Sequence, residues 1–142
     1  MPASKKFQLY TRPWIQTEYS VQKKRRTQQI FRVLGKTYPH AKIALHYSNH
    51  IQLLVAVILS AQCTDKKVNE ITGPLFRKYK TARDFANVKP ALLQKEIKPS
   101  GFYRAKAKNI IAACKKIEIE FDGKLPRTME DMLTLPGVAR KT

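Results

Sequence analysis

Apolar residues recur along this chain at intervals of three and four and nowhere alternate with period two over a useful length, which predicts helices and no sheet. The clearest segment is Ile51 to Leu59, apolar on every side and therefore expected inside a bundle. Asn49 is placed to cap it, and Gln52 follows three residues later in a box-like pattern. This helix is expected to stop near Ser60-Ala61-Gln62, with Thr64 capping the next through Val68 and Ile71. Gly73-Pro74 should break or restart that pattern before Leu75 and Phe76. Thr81 opens a short helix with Phe85 and Val88, and Pro90 suits the first position of another.

Pro99-Ser100-Gly101 reads as a turn. From Phe102 to Phe121 a long helix is expected, with Tyr103, Ala107, Ile110, Cys114, Ile117 and Phe121 on one stripe. Asp122-Gly123 ends it, and Thr128 with Asp131 caps a last short helix carrying Met132, Leu133 and Leu135. At the other end, residues 1–24 read as an irregular basic arm, since Pro2 and Pro13 interrupt any regular pattern. Beyond it, Ile30, Phe31, Val33 and Leu34 supply an apolar side, and Gly35 and Pro39 should end the helix that carries them. The fold class is all-α.

Charge narrows the class of partner. The chain has 28 Lys and Arg against 10 Asp and Glu, a net charge of +18. Such an excess fits a polyanion, because each phosphate contact releases counterions and strengthens binding. Ribosomal and other RNA-binding proteins share this signature, so charge names a partner class and no activity. Lys23-Lys24-Arg25-Arg26 is the densest cluster, equally consistent with a nucleic-acid contact and with a solvated helix face. Apolar residues make up 43% of the chain, enough for a packed core.

Cys63 and Cys114 have no CxxC spacing and suggest neither a disulfide framework nor a zinc site; they read as reduced core thiols. The longest apolar run, Leu53 to Leu59, is too short to cross a bilayer, so no membrane partner is expected. The N-terminus lacks a long apolar segment of the secretory type, so an intracellular, cytoplasmic location is the expectation.

The last eight residues, Leu135-Pro136-Gly137-Val138-Ala139-Arg140-Lys141-Thr142, follow a short helix with a tight glycine turn and a basic helix start. Glycine lets the backbone turn with positive φ. Amides of such a turn and of the next helix's first residues are left without helical partners. A DNA phosphate can accept from them, helped by the positive end of the helix dipole. Binding of this kind is blind to base sequence. The string is also compatible with an ordinary turn between two helices.

Two further blocks bear on that choice. Val57-Ile58-Leu59-Ser60-Ala61-Gln62-Cys63-Thr64-Asp65, with Val68-Asn69 after it, resembles the signature of the endonuclease III family. Gly101-Phe102-Tyr103-Arg104-Ala105-Lys106-Ala107-Lys108-Asn109-Ile110 resembles it too, as does the spacing from there to Leu135-Pro136-Gly137-Val138. The resemblance covers roughly residues 25–142 and implies a partial helix-hairpin-helix glycosylase domain.

By that resemblance the function is base-excision repair of oxidised pyrimidines, with abasic-site lyase chemistry on duplex DNA. Lys141 matches the family's nucleophile, whose amine attacks the sugar C1′, expels the base and leaves a Schiff base open to β-elimination. Burial beside a helix N-terminus would favour the neutral amine that attack requires. Gln62 matches the glutamine that wedges into the gap left by an extruded base. Gly137, Val138 and Ala139 would offer amides to phosphate, and Arg140 and Thr142 further contacts; Asp65 is expected only to open a helix. Many relatives carry glycine where Ala139 stands, and His50 replaces a proline at the start of the buried helix.

The family's catalytic aspartate, and the cysteines that hold its 4Fe-4S cluster, are expected beyond Thr142. The chain thus reads as C-terminally incomplete, with no metal site or cofactor of its own, and impaired as an enzyme in isolation. A monomer is expected, nucleoid-associated if prokaryotic. The alternative is a non-catalytic DNA-binding remnant.

Overall fold

A computed structural model describes residues 20–142, and all regular structure there is helical. The described residues divide into two compact units, residues 20–42 and Ile43–Thr142.

The first unit contains α1, Ser20–Thr37. Residues 20–24, expected as part of an irregular arm, are helical; the remainder of that arm lies outside the described residues apart from this stretch. The reason is local. From Ser20 no proline or glycine intervenes until Gly35, and Gln, Lys and Arg are good helix formers. The helix also passes through Gly35 to Thr37, whose hydroxyl donates to the Val33 carbonyl at 2.9 Å. Lys23 to Arg26 therefore sit on a helix, none of whose residues is buried.

The second unit is built around α2, His50–Ser60. Leu54, Val55, Ala56, Ile58 and Leu59 are all buried, as expected of a helix apolar on every side. Asn49 caps it by accepting from the Gln52 amide at 2.9 Å. The buried Gln52 side chain accepts from Ser48 N–H at 2.8 Å, so the box closes one residue earlier than the pattern implied.

Helix α3, Asp65–Lys78, is capped by Thr64 and runs unbroken past Gly73-Pro74. Proline inside a helix removes a donor and crowds the preceding turn, at a cost of about 3 kcal/mol. Here Val68, Ile71, Thr72 and Leu75 form one buried face that straddles the proline, and their burial offsets that cost. Asn69 ties the incoming chain to α3: its Oδ1 accepts from His46 N–H and its Nδ2 donates to the Ala44 carbonyl, at 2.8 and 2.9 Å.

Helix α4, Ala82–Asn87, carries a full capping box between Thr81 and Asp84. Backbone N–H groups of Lys80 and Thr81 donate to the Asp84 carboxylate and hold its pKa below the ordinary value. Helix α5, Pro90–Ile97, begins on its proline and leads into a 3-10 turn at Lys98–Ser100. Helix α6, Tyr103–Glu120, packs on α2, α4 and α5 and buries Ala107, Ile110, Cys114 and Ile117. Phe85 on α4 is fully buried, edge-on to Phe76 and tilted against Tyr79. Cys114 is buried, its thiol pushed up to about 12 by desolvation, and Cys63 is partly buried; both are free. After Asp122-Gly123, a single turn, α7, spans Met129–Met132 and is capped by Thr128.

Candidate functional site

Two helix ends build the site. Helix α2 stops at Ser60, whose hydroxyl turns back to donate to the Val57 carbonyl at 2.8 Å. Cys63 N–H then donates to the Ser60 carbonyl, and between them Gln62 takes a left-handed backbone with φ 52°. A non-glycine residue adopts that conformation only where its surroundings hold it there. Its side chain is exposed.

The second end is the hairpin after α7. Leu135 is buried, 2% exposed, and anchors the turn to the core; Val138 packs against the same core. Gly137 has φ 79° and sits hard against Asn109 on α6, where a Cβ would stand 2.8 Å from the Asn109 Cβ. Glycine is therefore required twice, for the turn and for the approach. Beyond it, Thr142 N–H donates to the Ala139 carbonyl at 2.9 Å and closes a single turn.

The expectation of outward amides needs correction at two positions. Val138 N–H donates to the Leu135 carbonyl at 3.1 Å, which closes the turn. Ala139 N–H donates to Thr142 Oγ1, also at 3.1 Å. A phosphate at this point would have to displace the Thr142 hydroxyl from the Ala139 amide. Arg140 and Lys141 are exposed. Lys141 therefore stands on a surface turn.

The structure brings Gln62 and Lys141 together. Both line one cavity of about 390 Å³, with Val57, Ser60, Ala61 and Thr142 as the other walls. Gly137, Val138, Ala139 and Arg140 belong to the adjoining turn and do not line it.

Two residues of the second motif block escaped the sequence reading. Phe102 has φ 46° and a largely exposed ring, 69% accessible, immediately before α6. Lys106 is only 5% exposed. Its signal was present in the sequence: three residues after Tyr103 and four before Ile110, it falls on the apolar stripe of α6, where a lysine must find partners to be buried.

Among the described residues, no group of three or more His, Cys, Asp or Glu stands together as metal ligands. The described residues, with two separate free cysteines, do not make a ligand set for a 4Fe-4S cluster. No helix among the described residues is long and apolar enough to cross a membrane.

Comparison with known proteins decides the family. The profile of the HhH-GPD superfamily, base excision DNA repair proteins, matches residues 55–141, which takes in both helix ends just described. The chain belongs to that superfamily. Within it the chain is similar to endonucleases III. Endonuclease III of Synechocystis is 52% identical over 120 residues, covering 84% of this chain and 55% of that protein. Endonuclease III of Bacillus subtilis is 48% identical over 109 residues, 77% of this chain and 50% of that one. The chain spans about half the length of the curated relatives it matches.

Among solved structures, a non-covalent endonuclease III–DNA complex superposes with a TM-score of 0.73 at 39% identity, over 83% of this chain and 55% of that one. A trapped endonuclease III–DNA covalent intermediate gives 0.74 at the same identity and coverage. The all-α expectation and the family resemblance both hold.

Proposed function

We propose that this chain supplies the base-extruding wedge and the nucleophile of a DNA glycosylase with abasic-site lyase activity. The observation that carries the proposal is the shared cavity of Gln62 and Lys141. A wedge and a nucleophile must lie on either side of one extruded nucleotide, because the base leaves the stack where the wedge enters it.

In this reading the Lys141 amine attacks C1′ of the extruded nucleotide. The C1′–N glycosidic bond breaks, the base departs with the bonding pair and takes up a proton, and nitrogen loses one. Ring opening breaks the C1′–O4′ bond, O4′ takes up a proton, and the protonated imine is left. Loss of a C2′ proton then expels the 3′ phosphate and nicks the strand. Covalent capture divides one difficult displacement into easier steps. Gln62, flat and polar, fills the vacated space and hydrogen-bonds the orphaned partner base.

Duplex DNA bearing an oxidised pyrimidine or an abasic site is the substrate we assign, bound by a monomer inside the cell, at the nucleoid in a prokaryote. The net charge of +18 supports a phosphate-dominated encounter. Gly137, Val138 and Ala139 form the phosphate-facing turn, with Arg140 beside it and the Thr142 hydroxyl yielding the Ala139 amide when phosphate arrives. The trapped covalent intermediate of the related endonuclease III supports an imine route.

Borohydride reduction in the presence of lesion DNA tests this directly. A protein–DNA adduct that is lost in Lys141→Gln is the expected result. An adduct that persists in the variant would remove Lys141 from the mechanism.

A further inference from the structure

We propose that Lys106 is a positioning residue, an ammonium clamp that locks the turn carrying Gln62 to the turn carrying Phe102. The inference rests on the glycosylase reading for its activity assay and on geometry alone for its structural one.

The Lys106 ammonium donates to the Leu59 carbonyl at 2.8 Å and to the Ser100 carbonyl at 2.7 Å. Leu59 lies three residues before Gln62, and Ser100 two before Phe102. Those two residues are non-glycine positions with positive φ, 52° and 46°. One side chain therefore joins the supports of both left-handed turns. Leu59 and Ser100 are themselves buried, 0% and 2% exposed, so the junction is closed to water.

Electrostatics explain why a cation stands there. The last carbonyls of a helix have no helical partners and carry the negative end of its dipole. Helix α2 has no basic residue in its own last turn. Lys106 supplies that charge from outside. It does so against the interest of its own helix: it sits near the positive end of α6, whose first turn holds no acidic residue. Burial adds a further penalty and lowers its pKa. A methionine would pack there without either cost. What it would not do is bond two carbonyls from separate segments, and both bonds hold Gln62's turn beside α6.

The experiment compares wild type with Lys106→Met, Lys106→Arg and Gln62→Ala in the full chain. Each is assayed on a base-paired oxidised pyrimidine and on a preformed abasic site, which needs no extrusion. Small misplacements of reacting groups cost up to about 100-fold, so we expect Lys106→Met to lose roughly tenfold more on the paired lesion than on the abasic site. Adding Lys106→Met to Gln62→Ala should not widen that ratio further, since both act on one wedge. Lys106→Arg, which keeps the charge and two donors, should restore part of it, and Lys106→Gln, which keeps polarity without the charge, serves in place of Lys106→Met if that variant does not fold. Equal losses on both substrates, or fully additive ones, would overturn the clamp.

Amide hydrogen exchange on the free proteins gives a second, activity-independent answer. In Lys106→Met, protection should fall together at residues 60–63 and 100–103 while the middles of α2 and α6 stay protected. Unchanged exchange at either turn, or loss spread evenly along both helices, overturns the proposal. A wild-type chain inactive on both substrates matches the impairment expected of the chain in isolation, and exchange then judges the clamp alone.

Discussion

Gly137 and Asn109 approach so closely that any side chain at position 137 would collide with α6: an added Cβ would stand 2.8 Å from the Asn109 Cβ. The colliding atom is next to the α6 backbone and not the free end of a side chain, so the helix or the hairpin would have to move. Gly137→Ala also places a Cβ at φ 79°, which costs about 1–2 kcal/mol by itself. We expect Gly137→Ala to lower stability by about 2 kcal/mol or more in a urea melt and to weaken duplex DNA binding. A variant with unchanged melting and binding would show that the hairpin does not depend on this contact.

Lys141→Gln should abolish the borohydride-trapped adduct while leaving duplex binding within about threefold, because one exposed charge among 28 Lys and Arg contributes about one phosphate contact. Band-shift titration beside the trapping assay separates the two effects. Parallel loss of adduct and binding would make Lys141 a DNA contact and no nucleophile.

Gln62→Ala should reduce turnover on a base-paired lesion by roughly tenfold or more and on a preformed abasic site much less, since the second substrate has no base to extrude. Single-turnover rates on both duplexes measure it. Equal reductions would contradict a wedge.

Binding to undamaged duplex should weaken steeply with salt, by on the order of 1000-fold between about 50 and 200 mM for six or so phosphate contacts. Fluorescence anisotropy across that range reads the slope directly. A flat profile would mean that the charge of +18 does not drive association.

Asp84 makes stability depend on pH in a defined direction. Its folded pKa is lowered, chiefly by backbone N–H bonds from Lys80 and Thr81. A depressed carboxylate stabilises the fold above its unfolded pKa, and that contribution disappears as pH falls through the folded value. Asp84→Asn should therefore cost about 1 kcal/mol near neutrality, the scale of a lost helix cap. The gap between wild type and variant should close in acid, below the ordinary carboxylate range. Thermal melts at neutral and acid pH give the comparison, and a gap that widened in acid would reverse the assignment.

What the sequence determined was local. The caps at Asn49, Thr64, Thr81 and Thr128, the proline start of α5 and the Asp122-Gly123 stop all act within four residues of themselves, so a linear reading reaches them. The same holds for the buried character of α2 and the stripe of α6, since periodicity alone reports which faces leave water. At α3 packing overrode a local signal: the helix continues through Pro74 because residues on both sides of it share one buried face. Tertiary structure alone decided that Gln62 and Lys141 line one cavity, that Gly137 meets Asn109, and that the Lys106 ammonium is enclosed by carbonyls of Leu59 and Ser100. Each of these depends on how the end of one helix meets another. That is a matter of side-chain volumes filling a shared interior, and no window along the chain contains it.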